Sequence, residues 1–269
     1  MAVEQKKQQE EAVRDGSILD YVGILQGTYV PPTGKNLPSL VNKPKLRMKV
    51  EWNRVKNLLR YFQGVLLATF AVKPRLKMEV SRVPQIAQSL YEDLYTNFAK
   101  GDLDVLQDRV SSGLLGSLRS RITQRQPNTS LKWTLHKYLG RPRCVSMTFA
   151  LIDFKTPKTE RNGVVQAIVR VRSRQSLQKM MKMRVIDEKT GRSRIEVVPV
   201  NSDGKRIPLS QLEESKLRDV KDTTEYLVIQ KLLKAGKEGP WHLWGMAEET
   251  TMAKLARDQK GKDKVLMSQ

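Results

Sequence analysis

In this chain, the residues whose spacing best fits a binding function are three arginines at alternate positions of a strand-like run. Arg170, Arg172 and Arg174 would project from one face of a strand, about 6.7 Å apart, which is twice the rise per residue. Such a row can follow a phosphodiester backbone, because guanidinium groups bind phosphate oxygens through paired hydrogen bonds. The pattern predicts a phosphate-binding strand, and a solvated outer sheet face is the alternative.

Basic residues are concentrated in two parts of the sequence. The net charge is +21, and residues 31–80 hold 11 basic and 2 acidic side chains while residues 131–200 hold 16 and 5. This distribution favours a polyanionic partner, because neutralised phosphates release counterions. A basic surface that only serves solubility is the alternative. We assign RNA binding to Lys43, Lys45, Arg47, Arg170, Arg172, Arg174, Lys179, Lys182, Arg184, Arg192 and Arg194.

The mode of RNA binding follows from what the arginine strand lacks. It carries no aromatic pair of the kind that stacks bases in RNA-recognition sheets. We therefore expect contacts to the backbone and shape of structured RNA.

Signals for catalysis are weak in this sequence. There is no Walker loop and no G-x-S-x-G, and the two histidines, His136 and His242, lack metal-ligand spacing. Asp153 is a candidate general base without an acid partner nearby in sequence, and Cys144 fits a buried thiol. We expect a non-enzymatic protein with no metal and no cofactor. An enzyme would require a polar pocket around Asp153 or His136.

The first half of the chain reads as a leader followed by helices. Gly and Pro interrupt residues 1–50, which we interpret as an extended basic leader. Helical periodicity begins at Glu51 and stops at Pro74, resumes from Pro84 to Gly101, and returns after Ser111 or Ser112. The apolar face of the first helix, residues 55–70, is expected to be buried under a sheet. Its alternative is a membrane surface, with Lys56, Arg60, Lys73 and Arg75 at the helix ends facing headgroups.

The second half of the chain alternates with the period of strands. Strands are predicted near residues 131–139, 143–154, 165–172, 181–186, 195–200, 223–233 and 241–247, with a hairpin turn at 188–191. The pattern predicts an α+β fold over residues 51–249, with N-terminal helices packed on a strongly bent antiparallel sheet. Residues 250–269 form a polar tail.

Membrane contact is expected at the surface only. No stretch reaches the about 20 apolar residues that a spanning helix needs, so we predict a peripheral protein. Trp241 and Trp244 are candidates for a membrane-facing or partner-facing site, with core or rim packing as the alternative. The first fifteen residues are polar with four acidic side chains, which fits neither a secretory signal nor an intact transit peptide. An imported protein would begin here after its cleavage point.

Three segments carry a resemblance to a known family: SRVPQIAQSLYEDLYTNFAKGD (81–102), SSGLLGSLRSRI (111–122) and GPWHLWG (239–245). Over about residues 50–250, the chain resembles the fungal mitochondrial inner-membrane ribosome receptors. These are counterparts of large-subunit mitoribosomal protein forty-five and relatives of the import-motor scaffold C-terminal domain. The hairpin at 181–200 departs from the family pattern.

The resemblance implies a cone-shaped fold like that of nuclear transport factor two, in the mitochondrial matrix and peripheral to the inner membrane. It implies binding to large-subunit mitochondrial rRNA near the polypeptide exit, beside neighbouring mitoribosomal proteins. It further implies partnership with an inner-membrane insertase and an anionic membrane surface, so that the ribosome is tethered for co-translational insertion. A protein–protein scaffold of the inner-membrane import motor is the alternative function.

Overall fold

The fold is seen in a computed structural model that describes residues 22–25, 28–152, 156–186, 193–201, 205–207 and 220–251. Within these residues the helices are α1 (Pro44–Ala71), α2 (Val83–Lys100) and α3 (Ser112–Thr123). The strands are β1 (Thr129–Tyr138), β2 (Arg143–Leu151), β3 (Gly163–Ile186), β4 (Ser193–Pro199), β5 (Val220–Lys234) and β6 (Lys237–Ala247). Helices followed by an antiparallel sheet confirm the predicted α+β class.

Helix α1 begins earlier than its periodicity predicted. It starts at Pro44 rather than Glu51, with the proline in the first turn, where its missing N–H breaks no hydrogen bond. The basic end of the expected leader therefore belongs to the helix. The predicted stop is confirmed, because α1 ends at Ala71 before Pro74.

The two following helices have the predicted ends. Gly101 ends α2 with a φ of +83°, a conformation that glycine adopts without a Cβ clash. Ser111 caps α3, and its hydroxyl accepts a hydrogen bond from the Leu114 backbone N–H at 3.4 Å.

The sheet is ordered β1-β3-β5-β6, and β2 and β4 also pair with β3. β3 is one strand of 24 residues, whereas alternation alone suggested separate strands at 165–172 and 181–186. Register shifts at Leu135/Lys137 in β1 and at Cys144/Ser146 in β2 mark bulges, which bend a strand locally. The hairpin turn predicted at 188–191 and most of the tail lie outside the described residues.

The chain divides into two compact units. The first contains residues 1–87, 143–170 and 225–269, and the second contains residues 88–142 and 171–224. The single domain expected at 51–249 stays a prediction.

In the first unit, α1 packs on β2 through its small residues. Ala68 is fully buried, and a Cβ on Gly64 would lie 3.4 Å from the Phe149 backbone nitrogen. The Asn57 amide donates to the Val145 carbonyl at 2.8 Å. These contacts let the helix approach the strand closely and orient the opposite face of the helix away from it.

The large apolar side chains of α1 are on that outer face. Trp52, Phe62 and Phe70 remain 58%, 60% and 61% exposed. The expectation that this face is buried under the sheet is therefore wrong. Small residues on the other face offer a closer contact with β2, and the large ones are left outside.

A buried lysine joins several elements of the first unit. Lys231 is only 7% exposed, and its ammonium lies 2.8 Å from the Glu238 carboxylate and 3.3 Å from that of Glu79. It also donates to the Lys77 carbonyl at 3.0 Å. A buried ammonium is tolerated only with such partners.

The end of β6 holds the segment before α1. The Glu249 carboxylate accepts hydrogen bonds from the Thr33 backbone N–H at 3.0 Å, the Asn36 amide at 2.7 Å and the Tyr226 hydroxyl at 2.7 Å. Thr250 and Val30 exchange two further bonds. Burial raises the pKa of Glu249, but the bonds from Thr33, Asn36 and Tyr226 together hold it below its ordinary value.

Glu249→Gln is expected to lower the free energy of unfolding at pH 7 by about 1–2 kcal/mol, because a charged acceptor is lost. The native pKa lies below the ordinary 4.5, so the carboxylate stabilises fully above that pH. This contribution is lost as pH falls through the native pKa. Urea unfolding at pH 7 and pH 3.5 should show the difference between wild type and variant shrink at the lower pH. A constant difference would contradict this role.

The core of the second unit combines aromatic packing with satisfied hydrogen bonds. Tyr95 stacks on Trp133 with ring centroids 5.2 Å apart, and Tyr91 meets both rings edge-on. The Gln175 carbonyl oxygen accepts from Tyr91 at 3.0 Å and from the Trp133 indole at 2.7 Å. Helix α2 is thereby fixed on β1 and β3.

Candidate nucleic-acid interface

In the second unit, β3 alternates between buried and solvent-facing side chains. Val171 and Ser173 are fully buried, whereas Arg172 is exposed and Arg174 is 41% exposed. Arg172 and Arg174 therefore project from the outer face of this strand, as their spacing predicted.

Arg174 is held by a carboxylate of the neighbouring strand β5. Its guanidinium donates two hydrogen bonds to Asp222, at 2.6 and 2.8 Å. The bond from Arg174 holds the pKa of Asp222 below its ordinary value, and the charges of Lys137 and Arg172 lower it further. We call Lys137, Arg172, Arg174 and Asp222 the Asp222 cluster. It has three cations around one anion.

Register explains why Lys137 joins this cluster. Strands β1 and β3 are antiparallel, and Lys137 is directly opposite Arg174 after the bulge at Leu135. Like charges directly opposite each other destabilise a sheet, and Asp222 offsets this repulsion only in part. Three positive charges and one negative charge leave the cluster with a formal charge of +2.

The other basic residues predicted for this patch lie farther along β3. Lys182 and Arg184 are exposed, opposite Val197 and Ile195 of β4. The Lys179 ammonium donates to Gln126 at 2.9 Å. A role of these three residues in RNA binding stays a prediction.

Two residues of the predicted patch are described incompletely. Arg194 lies on β4 opposite Val185, but its side chain lies outside the described part of the structure. Arg192 lies outside the described residues altogether.

In the first unit, Arg170 is half-buried and pairs directly across the strands with exposed Arg143 of β2. This is a second like-charge pair, of the kind that an anionic partner would stabilise.

The basic residues around the start of α1 are also in the first unit. Lys43 and Lys45 are exposed there. Arg47 is directed along the helix, and its guanidinium lies 2.9 Å from the Glu51 carboxylate.

The structure places both candidate membrane-facing tryptophans within the first unit's packing. Trp241 is only 8% exposed, and its indole donates to Glu79 at 3.2 Å. Trp244 is half-buried against a cluster of Val30, Ile168 and Val228. The packing alternative therefore describes both residues, and the membrane-facing assignment of Trp241 needs correction because its ring is buried.

The candidate catalytic residues that the structure describes lie on three different strands, β1, β2 and β6. His136 is exposed on β1, with a ring nitrogen 2.9 Å from the Ser176 hydroxyl. Cys144 is half-buried, and burial raises the pKa of its thiol to about 11. Such a thiol is protonated near neutral pH and is a poor nucleophile. His242 is half-buried on β6, and Asp153 lies outside the described residues.

Sequence reasoning missed three charged residues beside the predicted arginines: Lys137 and Asp222 in the second unit, and Arg143 in the first. Strand pairing and a side-chain ion pair bring each of them beside an arginine that is far away in sequence. Alternation along one strand does not identify such cross-strand neighbours.

Comparison with known proteins adds a match over much of the chain. The MBA1-like protein family matches residues 6–209, which is more than half of the sequence. The chain belongs to the MBA1-like family. Membership is consistent with a mitochondrial, membrane-associated protein that binds ribosomes. No curated protein matches the chain.

None of the helices in the described ranges is long and apolar enough to cross a membrane. Within the described ranges of this MBA1-like chain, the Asp222 cluster is a charged, solvent-exposed group and the outer face of α1 is an exposed apolar surface.

Proposed function

We propose that this protein is a non-enzymatic component of the mitochondrial large ribosomal subunit. It binds rRNA near the polypeptide exit, beside neighbouring mitoribosomal proteins, and tethers the ribosome to the inner membrane for co-translational insertion. It works in the matrix, at the membrane surface, with an insertase as partner. Family membership supports the ribosomal and membrane context, and the basic outer face of β3 supports the RNA contact.

The Asp222 cluster is the single observation that carries RNA binding. Arg174 already engages an anion through its Nε and Nη2, in the geometry that guanidinium groups use for phosphate. Arg172 is exposed beside it, and Lys137 lies across the strand. Asp222 occupies the position that an RNA phosphate would take or share.

Asp222→Asn is therefore expected to strengthen RNA binding. The substitution removes the competing anion and frees Arg174 for one more phosphate, which gives about an eightfold gain at 0.1 M salt and steepens the salt slope by about one. A fold defect would weaken binding, so a gain is diagnostic. Filter binding of structured rRNA fragments at several salt concentrations measures both quantities.

Asp108→Asn is the matched control, because Asp108 is an exposed carboxylate of the same unit outside the cluster. It should change affinity much less and leave the slope unaltered. Equal affinities for wild type and Asp222→Asn would remove the cluster from the RNA interface.

A scaffold of the import motor is the alternative function. Affinity purification with and without nuclease treatment distinguishes it from the ribosomal function. Affinity purification from mitochondria should recover large-subunit proteins, and this recovery should be lost after nuclease treatment. Recovery of chaperone and translocon components that survives nuclease would favour the scaffold instead.

A further inference from the structure

The outer face of α1 has the composition and geometry of a surface that binds lipid. At about 100° per residue, seven large side chains fall within an arc of about 80°. All are at least half exposed or nearly so: Met48, Trp52, Val55, Leu59, Phe62, Leu66 and Phe70. A contiguous exposed apolar strip of this length marks an interaction site.

Positive charge borders this strip on one side. Lys45, Lys56 and Arg60 are exposed and occupy the next arc of about 80° around the helix. The Lys56 ammonium lies 5.5 Å from the centre of the Trp52 ring. Apolar and aromatic residues beside a basic border are the signature of a helix lying in a membrane interface.

The other border of the strip has its acidic charge neutralised. Glu51 is the acidic residue of α1, and its carboxylate is 2.9 Å from Arg47 and 3.0 Å from Arg54. An anionic surface therefore meets no unpaired carboxylate along α1. The helix spans about 42 Å at 1.5 Å per residue, long enough to contact many lipids.

We propose that the outer face of α1 inserts its apolar strip into the interface of an anionic bilayer, with Lys45, Lys56 and Arg60 at the headgroups. This deepens the proposed function, on which the membrane as partner rests, and assigns the contact to α1 rather than to Trp241. The small face of α1 keeps the helix on β2, so the strip is presented without unfolding the first unit.

Vesicle flotation of the full chain tests this assignment. The protein should float with phosphatidylcholine vesicles containing cardiolipin, and Phe62→Asp with Leu66→Asp should reduce the bound fraction at least about tenfold, because two apolar groups become charged. Ile195→Asp with Val197→Asp is the matched control. Those side chains are 73% and 51% exposed on β4, and their replacement should leave flotation intact.

The basic border is tested separately. Lys56→Gln with Arg60→Gln should weaken flotation on cardiolipin vesicles and leave the weak binding to pure phosphatidylcholine unchanged. Circular dichroism confirms that each variant is folded. The proposal would be overturned if the wild type did not float with cardiolipin vesicles, or if the variant Phe62→Asp with Leu66→Asp floated as well as the wild type.

Two other occupants of the strip give different results. A fluorophore sensitive to polarity, attached at Gln63→Cys in a Cys144→Ser background, should shift to the blue only when vesicles are added. A blue spectrum before lipid that lipid leaves unchanged would mean that another part of this chain covers the strip. A dimer in lipid-free solution that Phe62→Asp with Leu66→Asp dissociates would mean a second copy, and either result overturns the proposal.

The experiments distinguish a failure of the lipid-binding proposal from a failure of the proposed ribosomal function. Phe62→Asp with Leu66→Asp should keep full RNA affinity in the filter-binding measurement, because the Asp222 cluster is untouched. If the wild type floated with vesicles but did not bind rRNA, the ribosomal function would be contradicted and the lipid-binding surface would be supported.

Discussion

Arg172→Glu with Arg174→Glu is expected to lower affinity for structured rRNA about a hundredfold or more at 0.1 M salt. The phosphate contact of Arg172 disappears, which contributes about eightfold, and two new carboxylates join Asp222 in repelling the backbone. The salt slope should fall by at least about one. Both side chains reach solvent, so the variant should fold. Co-sedimentation with mitochondrial large subunits should fail at salt concentrations where the wild type remains bound.

Arg119→Glu with Arg121→Glu is the control for total charge. Both arginines are exposed on α3 of the same unit, and the formal change is identical. Long-range attraction weakens in this control, but the phosphate contacts remain, so the slope should be almost unchanged. A loss equal to that of the β3 variant would mean that net charge alone drives binding.

Lys231→Met is expected to lower the free energy of unfolding by about 2–3 kcal/mol, because a buried ion pair loses one partner and leaves the other uncompensated. Glu79 and Glu238 would then face each other without the ammonium that lies between them. Partial exposure of both carboxylates keeps the loss below that of a fully buried pair. Chemical denaturation at pH 7 measures it.

Additional substitutions that restore stability distinguish the contribution of the Lys231 charge from that of its packing. Glu79→Gln and Glu238→Gln, added to Lys231→Met, should recover much of the stability because no unpaired charge remains. Lys237→Met is the matched control at an exposed position of β6 and should change stability by less than about 0.5 kcal/mol. A triple variant as unstable as Lys231→Met would show that the lysine acts through packing.

Local sequence signals located most of the elements. Gly101 and Pro74 act through their own backbone conformation and Ser111 through its side-chain hydroxyl, so the sequence indicates their effects without knowledge of tertiary contacts. Local sequence signals did not predict the residue at which α1 begins or the continuity of β3 as one strand. Lys43 offers no side-chain cap, and pairing of β3 with several strands carries it through residues 173–180, where alternation of apolar residues is weak.

Sequence patterns gave the faces of the candidate sites but not what lies against them. Alternation placed Arg172 and Arg174 outward correctly, while Asp222, 48 residues beyond Arg174, is brought beside it only by strand pairing. For α1, periodicity defined one face of large apolar residues, which was expected to be buried. The face that carries Gly64 and Ala68 packs on β2 instead, and the periodicity of a single helix does not show which face meets a strand.

Site-specific photo-crosslinking on intact mitochondrial ribosomes tests RNA binding through the Asp222 cluster most directly. Thr224 is exposed on β5, two residues from Asp222 and on the same face, so a crosslinking amino acid in its place leaves every cluster charge intact. We expect it to crosslink to large-subunit rRNA, while the same amino acid in place of exposed Ser117 on α3 does not. A ribosome-bound protein whose position 224 crosslinks to protein alone would contradict RNA binding by this face.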